Sequence, residues 1–472
     1  MAKRVTAEGP VDGPWTLPDG WRWERLDTVG RWGSGGTPNI KTPRYYGGNI
    51  PWFRSGELRD RPLADPEIKI TEEGLQGSSA KLIAPGAVLI AMYGATVGKL
   101  AISTCVCATN QAVAFCIPDP EKITARYLFF YLLSIRRHLR DQAQGGAQPN
   151  ISQSLLKEQI IPLPPIGKQL LIVGRIDELF AEIGNGETAL ARVRDDLATW
   201  RKALLKAAVT GELTADWRAA NLPTETGADL LDGILADRRA RWDGESKNRG
   251  KRYPQPITPG VGALPGLPVG WCWATMDQLS WSSGYGTSEK CSAEHAGTPI
   301  LRIPNVRRGV VSLDDLKYTT APLALNDGRE LSIGDLLIVR TNGSDDLIGR
   351  AALVLTPPPQ ATYFASYLIR LRLLGTVEVL HWVALLIDSP IFRASVLQSI
   401  ASSAGQYNLS LSKIETFAVP VPPLDEIRAV ISRVYAAQAD AAEGAQSLDA
   451  AGLTSTTLRQ SILAAAFRGD LV

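Results

Sequence analysis

The 472-residue chain is short of cysteine, histidine, long apolar runs and net charge, and each shortage excludes something. Its five cysteines (105, 107, 116, 272 and 291) are odd in number and keep no framework spacing, which argues against a disulfide scaffold and for reduced thiols. The three histidines, His138, His295 and His381, stand without a ligand pattern around them. Cys105-x-Cys107 places two thiols on one face of an expected strand, and Cys291-x-x-x-His295 offers two donors where a zinc site needs more. No metal is expected, and the thiols read as small apolar core residues. Charge-poor stretches within 83–117 are broken by Pro85, Gly86 and Gly94 or filled with Ser, Thr, Asn and Gln, so they read as strands and not a membrane span. The opening MAKRVTAEGPVDGPW has no apolar run after its basic pair, so no signal peptide and a cytoplasmic location are expected. A formal charge of +2 does not by itself announce a nucleic-acid binder, because distribution matters more than the sum.

Catalytic constellations are equally scarce. An amino-methyltransferase needs an Asp/Asn/Ser-Pro-Pro-Tyr/Phe turn to hold its target amine. The Pro-Pro pairs here lie in Leu163-Pro164-Pro165-Ile166, Val421-Pro422-Pro423-Leu424 and Thr356-Pro357-Pro358-Pro359, with no aromatic following. Gly33-Ser34-Gly35-Gly36 lacks the strand–loop–helix context of a nucleotide site and reads as a flexible loop. Gly98-Lys99 is followed by Leu100, where a phosphate loop needs Ser or Thr. Glu67-Ile68-Lys69 matches half a nuclease motif without a spaced acidic partner and reads as chance. No Ser or Cys accompanies the histidines in a triad pattern. The chain reads as non-catalytic, with no catalytic residue and no cofactor of its own.

What is present is length and repetition. The chain is too long for one compact domain and suggests two to four at about 100–200 residues each. Leu17-Pro18-Asp19-Gly20-Trp21-Arg22-Trp23 returns as Leu267-Pro268-Val269-Gly270-Trp271-Cys272-Trp273, an offset of 250, with Asp27 matching Asp277. Gln148-Pro149-Asn150-Ile151-Ser152 returns as Gln406-Tyr407-Asn408-Leu409-Ser410, an offset of 258. The same offset relates Ile161-Pro162-Leu163-Pro164-Pro165 to Val419-Pro420-Val421-Pro422-Pro423, and Arg201 through Leu213 to Arg459 through Leu471. The framework is therefore duplicated, while the inserts at 30–147 and 280–405 have diverged. A constant frame with variable inserts suggests one scaffold presenting two different recognition surfaces.

The inserts read as mixed α/β. Short strands are expected at 49–54, 298–302, 85–90 and 333–338, and helices over 127–139 and 377–399. After each Pro-Pro pair comes a long helix, about 168–209 and 426–467. In the first, Ile176, Leu179, Ile183, Gly186, Leu190, Val193, Leu197, Trp200 and Leu204 step by three and four in a heptad seam. The matching seam is Val434, Ala437, Ala441, Gly444, Leu448, Ala451, Ser455, Leu458 and Ile462, richer in alanine and interrupted by Ser455. The paired glycines, Gly186 and Gly444, suggest a close approach of two backbones at a common midpoint. Such seams need cover in water, and pairing them about a pseudo-twofold axis gives an antiparallel coiled coil with the inserts at opposite ends.

In this order and spacing the repeats resemble the specificity subunits of type I restriction–modification systems, over nearly the whole chain. LPDGW and LPVGW resemble that family's openings of two target-recognition domains, 162–165 and 420–423 its Pro-rich approaches to the conserved helices, and 210–256 its central region. The family's acidic–Gln pair after Pro-Pro is altered to Gly167-Lys168-Gln169 and Asp425-Glu426-Ile427. The resemblance implies an α+β fold: two mixed α/β target-recognition domains in pseudo-twofold tandem repeat, held apart by two long antiparallel helices. The segments are then 1–16 (N-terminal), 17–160 (first recognition domain), 161–213 (spacer helix), 214–266 (central linker), 267–418 (second recognition domain) and 419–472 (second spacer helix). It also implies a subunit that binds double-stranded DNA at a bipartite target. Two modification subunits would methylate adenine N6 from S-adenosylmethionine, and two restriction subunits would use ATP and magnesium. The runner-up is a rod-shaped protein–protein adaptor, which explains the duplication but not the Arg- and Asn-bearing loops.

A duplex reader needs Arg, Lys, Asn and Gln at base edges and further cations on phosphates. The candidates in the first insert are Lys41, Arg44, Tyr45 and Tyr46, then Arg54, Ser55, Tyr93 and Lys99 at strand ends. In the second they are Arg302, Asn305, Arg307 and Arg308, then Arg340, Asn342, Ser344 and Arg350 around an Asn-Gly turn. Arg54 and Arg302 stand out because both follow matching Pro-containing strands. Gln148, Asn150, Gln406 and Asn408 recur in both halves and read as residues that hold a loop or contact backbone, not as sequence readers. The cationic run 238–252 reads either as a contact to DNA between the half-sites or, the preferred reading, as a solvated helix and linker.

Overall fold

The computed structural model describes residues 12–143, 150–221, 223–260, 262, 264–293, 297–307, 309–323, 328–344, 346–403 and 406–472. The two Trp-bearing turns are one object built twice. Gly20 and Gly270 take φ of +80° and +85°, where a Cβ would be strained, and the Trp21 and Trp271 amides donate to the Pro18 and Pro268 carbonyls, both at 3.1 Å. Each chain leaves its turn as a strand, Arg22–Arg25 or Cys272–Thr275. Each strand pairs antiparallel with the Pro-containing strand before a spacer helix, in one shared register: Arg22 opposite Leu163, and Cys272 opposite Val421.

Each insert folds as a five-stranded sheet beside a smaller one. The order 30–34, 113–118, 88–91, 100–102, 61–62 recurs as 280–285, 368–373, 335–339, 351–353, 309–310. In both, only the last pairing is parallel. The smaller sheet sets Tyr46–Phe53 beside Ala108–Thr109 in parallel, and Pro299–Leu301 beside Tyr363–Phe364 likewise. Strands Val88–Ala91 and Asp335–Val339 are buried throughout because alternate residues serve two cores. Val88 and Ile90 pack under the helix Ala125–Ser134, while Leu89 and Ala91 meet Phe53. In the second repeat Leu336 and Ile338 join the helix-covered core, and Leu337 and Val339 meet Phe364.

The run Gly33-Ser34-Gly35-Gly36 is not the flexible loop expected. Gly30–Ser34 is a strand, and a Cβ on Gly35 would stand 2.1 Å from the Thr109 carbonyl oxygen. The second repeat keeps the device: a Cβ on Gly286 would stand 2.0 Å from the Phe364 carbonyl oxygen. Glycine is there so that two backbones can touch. The helix expected over 377–399 is two, Val377–Ile387 and Pro390–Ser399. Pro390 has no amide proton to continue the first, and Ser389 Oγ caps the second by accepting from the Phe392 amide at 3.3 Å. The helix expected over 127–139 likewise divides into Ala125–Ser134 and Arg136–Asp141.

The spacer helices run Ile166–Thr210 and Leu424–Arg468, 45 residues each. The chain divides into two compact units, 1–191 with 447–472, and 192–446, so both divisions fall inside a spacer helix. In the first unit Ile176 shares a core with Leu463, Ala466 and Phe467. The rings of Tyr127 and Tyr131 meet Phe467 edge-on at 5.2 Å. Lys168 reaches the Val472 carbonyl at 3.4 Å and Glu187 reaches Arg459 at 2.6 Å, so the helices there run antiparallel. In the second unit Leu205, Ala208 and Val209 share a core with Val430 and Val434, and Arg433 donates to the Leu213 carbonyl at 2.7 Å, again antiparallel. Both helices end at a left-handed glycine, Gly211 and Gly469, seated against Pro268 and Pro18 of the Trp turns.

The seam holds at one of its two heptad positions and, after the first turn, misses at the other. Ile176 and Val434 are buried, and Leu179, Ile183, Leu190, Leu197, Leu204, Ala437, Ala441, Leu448, Ser455 and Ile462 are half-buried. Val193, Trp200, Ala451 and Leu458 are exposed. Gly186 and Gly444 are exposed too, and a Cβ on either would meet nothing within 4 Å, which overturns the close approach. The inner face of the second helix steps through 441, 445, 448, 452, 455, 459 and 462, so the seven-residue repeat is kept and one of its two positions lies one residue later than expected. By the end of the second helix Arg459 has replaced Leu458 on the inner face, lying over Phe180 with its guanidinium carbon 5.7 Å from the ring centre.

The altered acidic–Gln pair resolves into a division of labour. Gln169 is fully buried, accepting from the Thr124 amide at 2.9 Å and donating to the Lys122 and Pro164 carbonyls. Glu426, equally buried, accepts from Thr214 at 2.7 Å, Trp271 at 2.8 Å and Arg218 at 2.9 Å. Each repeat keeps one member. Cys105 is exposed in a bend and Cys107 is buried at an isolated bridge to Ile83, so the pair does not share a strand face. His295 lies outside the described residues. Among those described, no three His, Cys, Asp or Glu are grouped to hold a metal, and no single helix is long and apolar enough to cross a membrane.

Candidate nucleic-acid interface

Two loops recur at equivalent places in the two domains. The first opens at Arg54 and Arg302, each following the strand of the smaller sheet and capping a 3-10 turn, 55–57 or 303–305. The Arg54 amide donates to Glu57 Oε2 at 2.7 Å, and the Arg302 amide to Asn305 Oδ1 at 2.9 Å. Arg54 is exposed and pairs with Glu67, with Ser55 half-buried behind it. Arg302 lies deeper, donating to the Asp315 carbonyl at 3.1 Å and carboxylate at 3.3 Å, while its Nε is buried without a partner. Asn305 is corrected: it is 1% exposed, its Oδ1 caps Arg302 and its Nδ2 donates to the Asp314 carbonyl at 2.7 Å. Both ends of that amide serve the loop, leaving none for a base. Arg307 is exposed and pairs with Asp314 at 3.1 Å; Arg308 lies outside the described residues.

The second loop follows the buried central strand. The Ala91 amide donates to the Lys99 carbonyl and the Gly98 amide to Ala91; Val339, Arg350 and Gly349 repeat the pattern. Lys99 and Arg350 are therefore one position, as are left-handed Gly98 and Gly349. Lys99 is spent internally, at 2.8 Å from Asp60. Burial opposes ionisation of Asp60, but hydrogen bonds from Lys99, Arg136 and the Leu100 amide outweigh it and hold its carboxyl below the usual range. Arg350 is half-buried with an unpartnered Nε, and lines a cavity of about 320 Å³ with Lys202, Asp346, Asp388 and Arg393. Tyr93 is exposed and bridges Asn150. Arg340 lies over the Tyr285 ring, its guanidinium carbon 4.5 Å from the centre. Asn342 Oδ1 accepts from the Ser344 amide at 2.8 Å, an Asx turn that fixes both residues. Asn408 pairs with Thr341 across a short sheet, while Gln148 and the side chain of Gln406 lie outside the described residues.

The first cluster is mostly structural. The Tyr46 hydroxyl donates to the Pro38 carbonyl at 2.7 Å and the ring meets Trp52 edge-on, so Tyr46 is a half-buried residue packed on the small sheet's core; burial raises its hydroxyl pKa. Tyr45 lies against Gly74 and Gly77. Arg44 and Lys41 are exposed, Arg44 pairing with Glu73 at 3.2 Å. Three residues absent from the sequence reading hold the second loop. Arg136 donates to the Gly98 carbonyl at 2.7 Å and Arg140 to Val97 at 3.0 Å, while Arg393 donates to Ile348, which matches Val97. An arginine in the helix after 134 or 389 was the available signal, but no local pattern marks its target. In the central run, Arg238 pairs with Asp277, Arg239 with Asp243, Arg241 with Asp237 and Lys247 with Glu245, while Arg249, Lys251 and Arg252 are exposed.

Residues 18–192 match the family model described as the type I restriction modification DNA specificity domain. The chain is 26% identical over 466 residues to the type I restriction enzyme EcoKI specificity subunit of Escherichia coli K12, covering 96% of this chain and 90% of that protein. Over nearly its whole length the chain is similar to type I restriction–modification specificity subunits. Two solved structures share its fold. One, from work on complex assembly and conformational transition of the type I R-M system, has TM-score 0.65 at 18% identity and covers 97% of this chain and 100% of that one. The other, the HsdS subunit from Thermoanaerobacter tengcongensis, has TM-score 0.51 at 19% identity, covering 97% and 99%.

Proposed function

We propose that each sheet-rich domain reads one half of a split duplex DNA sequence, and that the spacer helices carry the subunits that act on it. As a specificity subunit the chain is the recognition component and not the enzyme, and it works within a complex with DNA and other subunits. In the proposed assembly two modification subunits supply adenine-N6 methylation with S-adenosylmethionine. Two restriction subunits supply ATP- and magnesium-dependent cleavage, in the cytoplasm.

The observation that carries the reading is a shared frame with exchanged side chains. Both domains keep the arginine-capped turn at 54 and 302. Lys99 is exchanged for Arg350 on matching hydrogen bonds of the second loop. Arg and Asn are the residues that read base edges, and cations on phosphates fix register. A protein–protein adaptor gives no reason for that distribution. The deciding experiment is adenine-methylation mapping in a methylation-free host expressing this chain with its modification partner. A methylated split motif that vanishes when the chain is omitted is expected. An assembled complex that methylates nothing overturns the reading.

A further inference from the structure

Two side chains of the second domain have no counterpart in the first, although the backbone around them is the same. The Met92 amide donates to the Ala112 carbonyl at 2.8 Å, and its own carbonyl accepts from the Ile151 amide at 2.9 Å. The Arg340 amide donates to the Tyr367 carbonyl at 3.0 Å, and its own carbonyl accepts from the Leu409 amide at 2.8 Å. Positions 92 and 340 are thus one site of the frame. It is filled in one domain by a methionine 3% exposed and in the other by a half-buried arginine. The neighbouring position changes with it. Ser34 precedes the close-packed Gly35 and stands opposite Ala114; Tyr285 precedes the equally close-packed Gly286 and stands opposite Ile369.

The exchanged pair is in contact. The Arg340 guanidinium lies over the exposed Tyr285 ring, its Nη2 reaches Asn408 Oδ1 at 3.3 Å, and its Nε has no partner in the protein. The frame does not require a cation here, since a methionine serves the same site in the first domain. What the stack supplies is a planar donor fork held in one orientation, so less freedom is lost when it binds. Among base edges that fork matches O6 and N7 of guanine in the major groove. A phosphate contact asks only for charge, and a mobile lysine would serve it without the stack.

We propose that Arg340, held on Tyr285, is the guanine reader of the second domain, so that one position of the second half-site is a G·C pair set by this residue. The inference rests on the split-sequence reading above. The test maps adenine methylation for the full chain with its modification partner, as wild type, Arg340→Met and Arg340→Lys. Arg340→Met installs the residue that the same frame carries at 92. Both variants are expected to lose roughly 5- to 150-fold discrimination at one G·C position of the second half-site, with the first half-site unchanged. A motif unchanged in both variants overturns the proposal, as does Arg340→Lys keeping the wild-type motif, since lysine preserves a phosphate contact. A loss spread evenly over both half-sites also overturns it. If the wild-type complex itself methylates no split motif, the split-sequence reading fails; a wild-type motif indifferent to position 340 fails this proposal alone.

Discussion

Gly35 and Gly286 show how much of the recognition domain depends on a missing side chain. Each brings a strand of the large sheet against the carbonyl of the small sheet's parallel strand, at a distance a Cβ cannot share. Gly35→Ala is expected to destabilise the protein by on the order of 2–3 kcal/mol, because backbone and not a flexible side chain must move. Gly284→Ala, whose Cβ would meet nothing within 4 Å, is the control. A urea midpoint unchanged by Gly35→Ala would refute the close packing. This role was illegible in sequence, where four small residues in a row look like slack; the partner strand is more than seventy residues away. Thiol chemistry gives a second prediction at this scale. Burial pushes the Cys107 and Cys116 thiols up to about 12, so neither holds appreciable thiolate at pH 8, whereas Cys105 is exposed. Native alkylation followed by mass spectrometry should label Cys105 and spare those two until denaturant is added. Early labelling of Cys116 would mean that the strand 113–118 opens.

The spacer helices were the most legible elements and still hid their contacts. Their expected limits fall within two residues of those observed, because Pro-Pro pairs precede them and glycines end them. The expected seam puts one of its two positions at 444, 451 and 458, a residue before the half-buried 445, 452 and 459. The seam therefore leaves out Arg459, which pairs with Glu187 at 2.6 and 2.9 Å. Hydrogen bonds from Arg459 and then Ser455 hold the Glu187 carboxyl below its usual value. A depressed carboxylate stabilises the fold above its unfolded pKa of about 4.3 and loses that contribution as pH falls through the folded value. Both side chains are about a third exposed, so screening keeps the contribution under about 1 kcal/mol. Glu187→Gln should therefore lower the melting temperature slightly at pH 7 and converge with wild type near pH 3. A variant equally destabilised at both pH values would show that the contact is packing and not charge.

At the scale of the whole molecule, each compact unit draws its framework from both repeats. The first takes residues 447–472 back to close a core begun at Leu26, and Gly469 seats against Pro18; in the second, Gly211 seats against Pro268. The duplication was legible because four short motifs recur in order, whereas this cyclic closure joins residues some 450 positions apart and leaves no local mark. It dictates how a test of the spacer must be made. The two helices are 45 residues each, so a heptad must be added to both to keep them equal in length, in the exposed stretches near 191 and 446. Seven residues lengthen a helix by about 10 Å, the length of about three base pairs at about 3.4 Å each. If the helices set the gap between half-sites, the preferred gap should lengthen by up to that amount with neither half-sequence altered. Three base pairs also turn the second half-site by about a third of a helical turn, so slower methylation on the longer gap is expected, measurable on a plasmid series of graded gaps. Exchanging 30–147 for another recognition insert should change one half-site and leave the gap alone. A changed half-sequence on an unchanged gap, in the heptad variant, would show that the helices carry the domains without measuring the DNA between them.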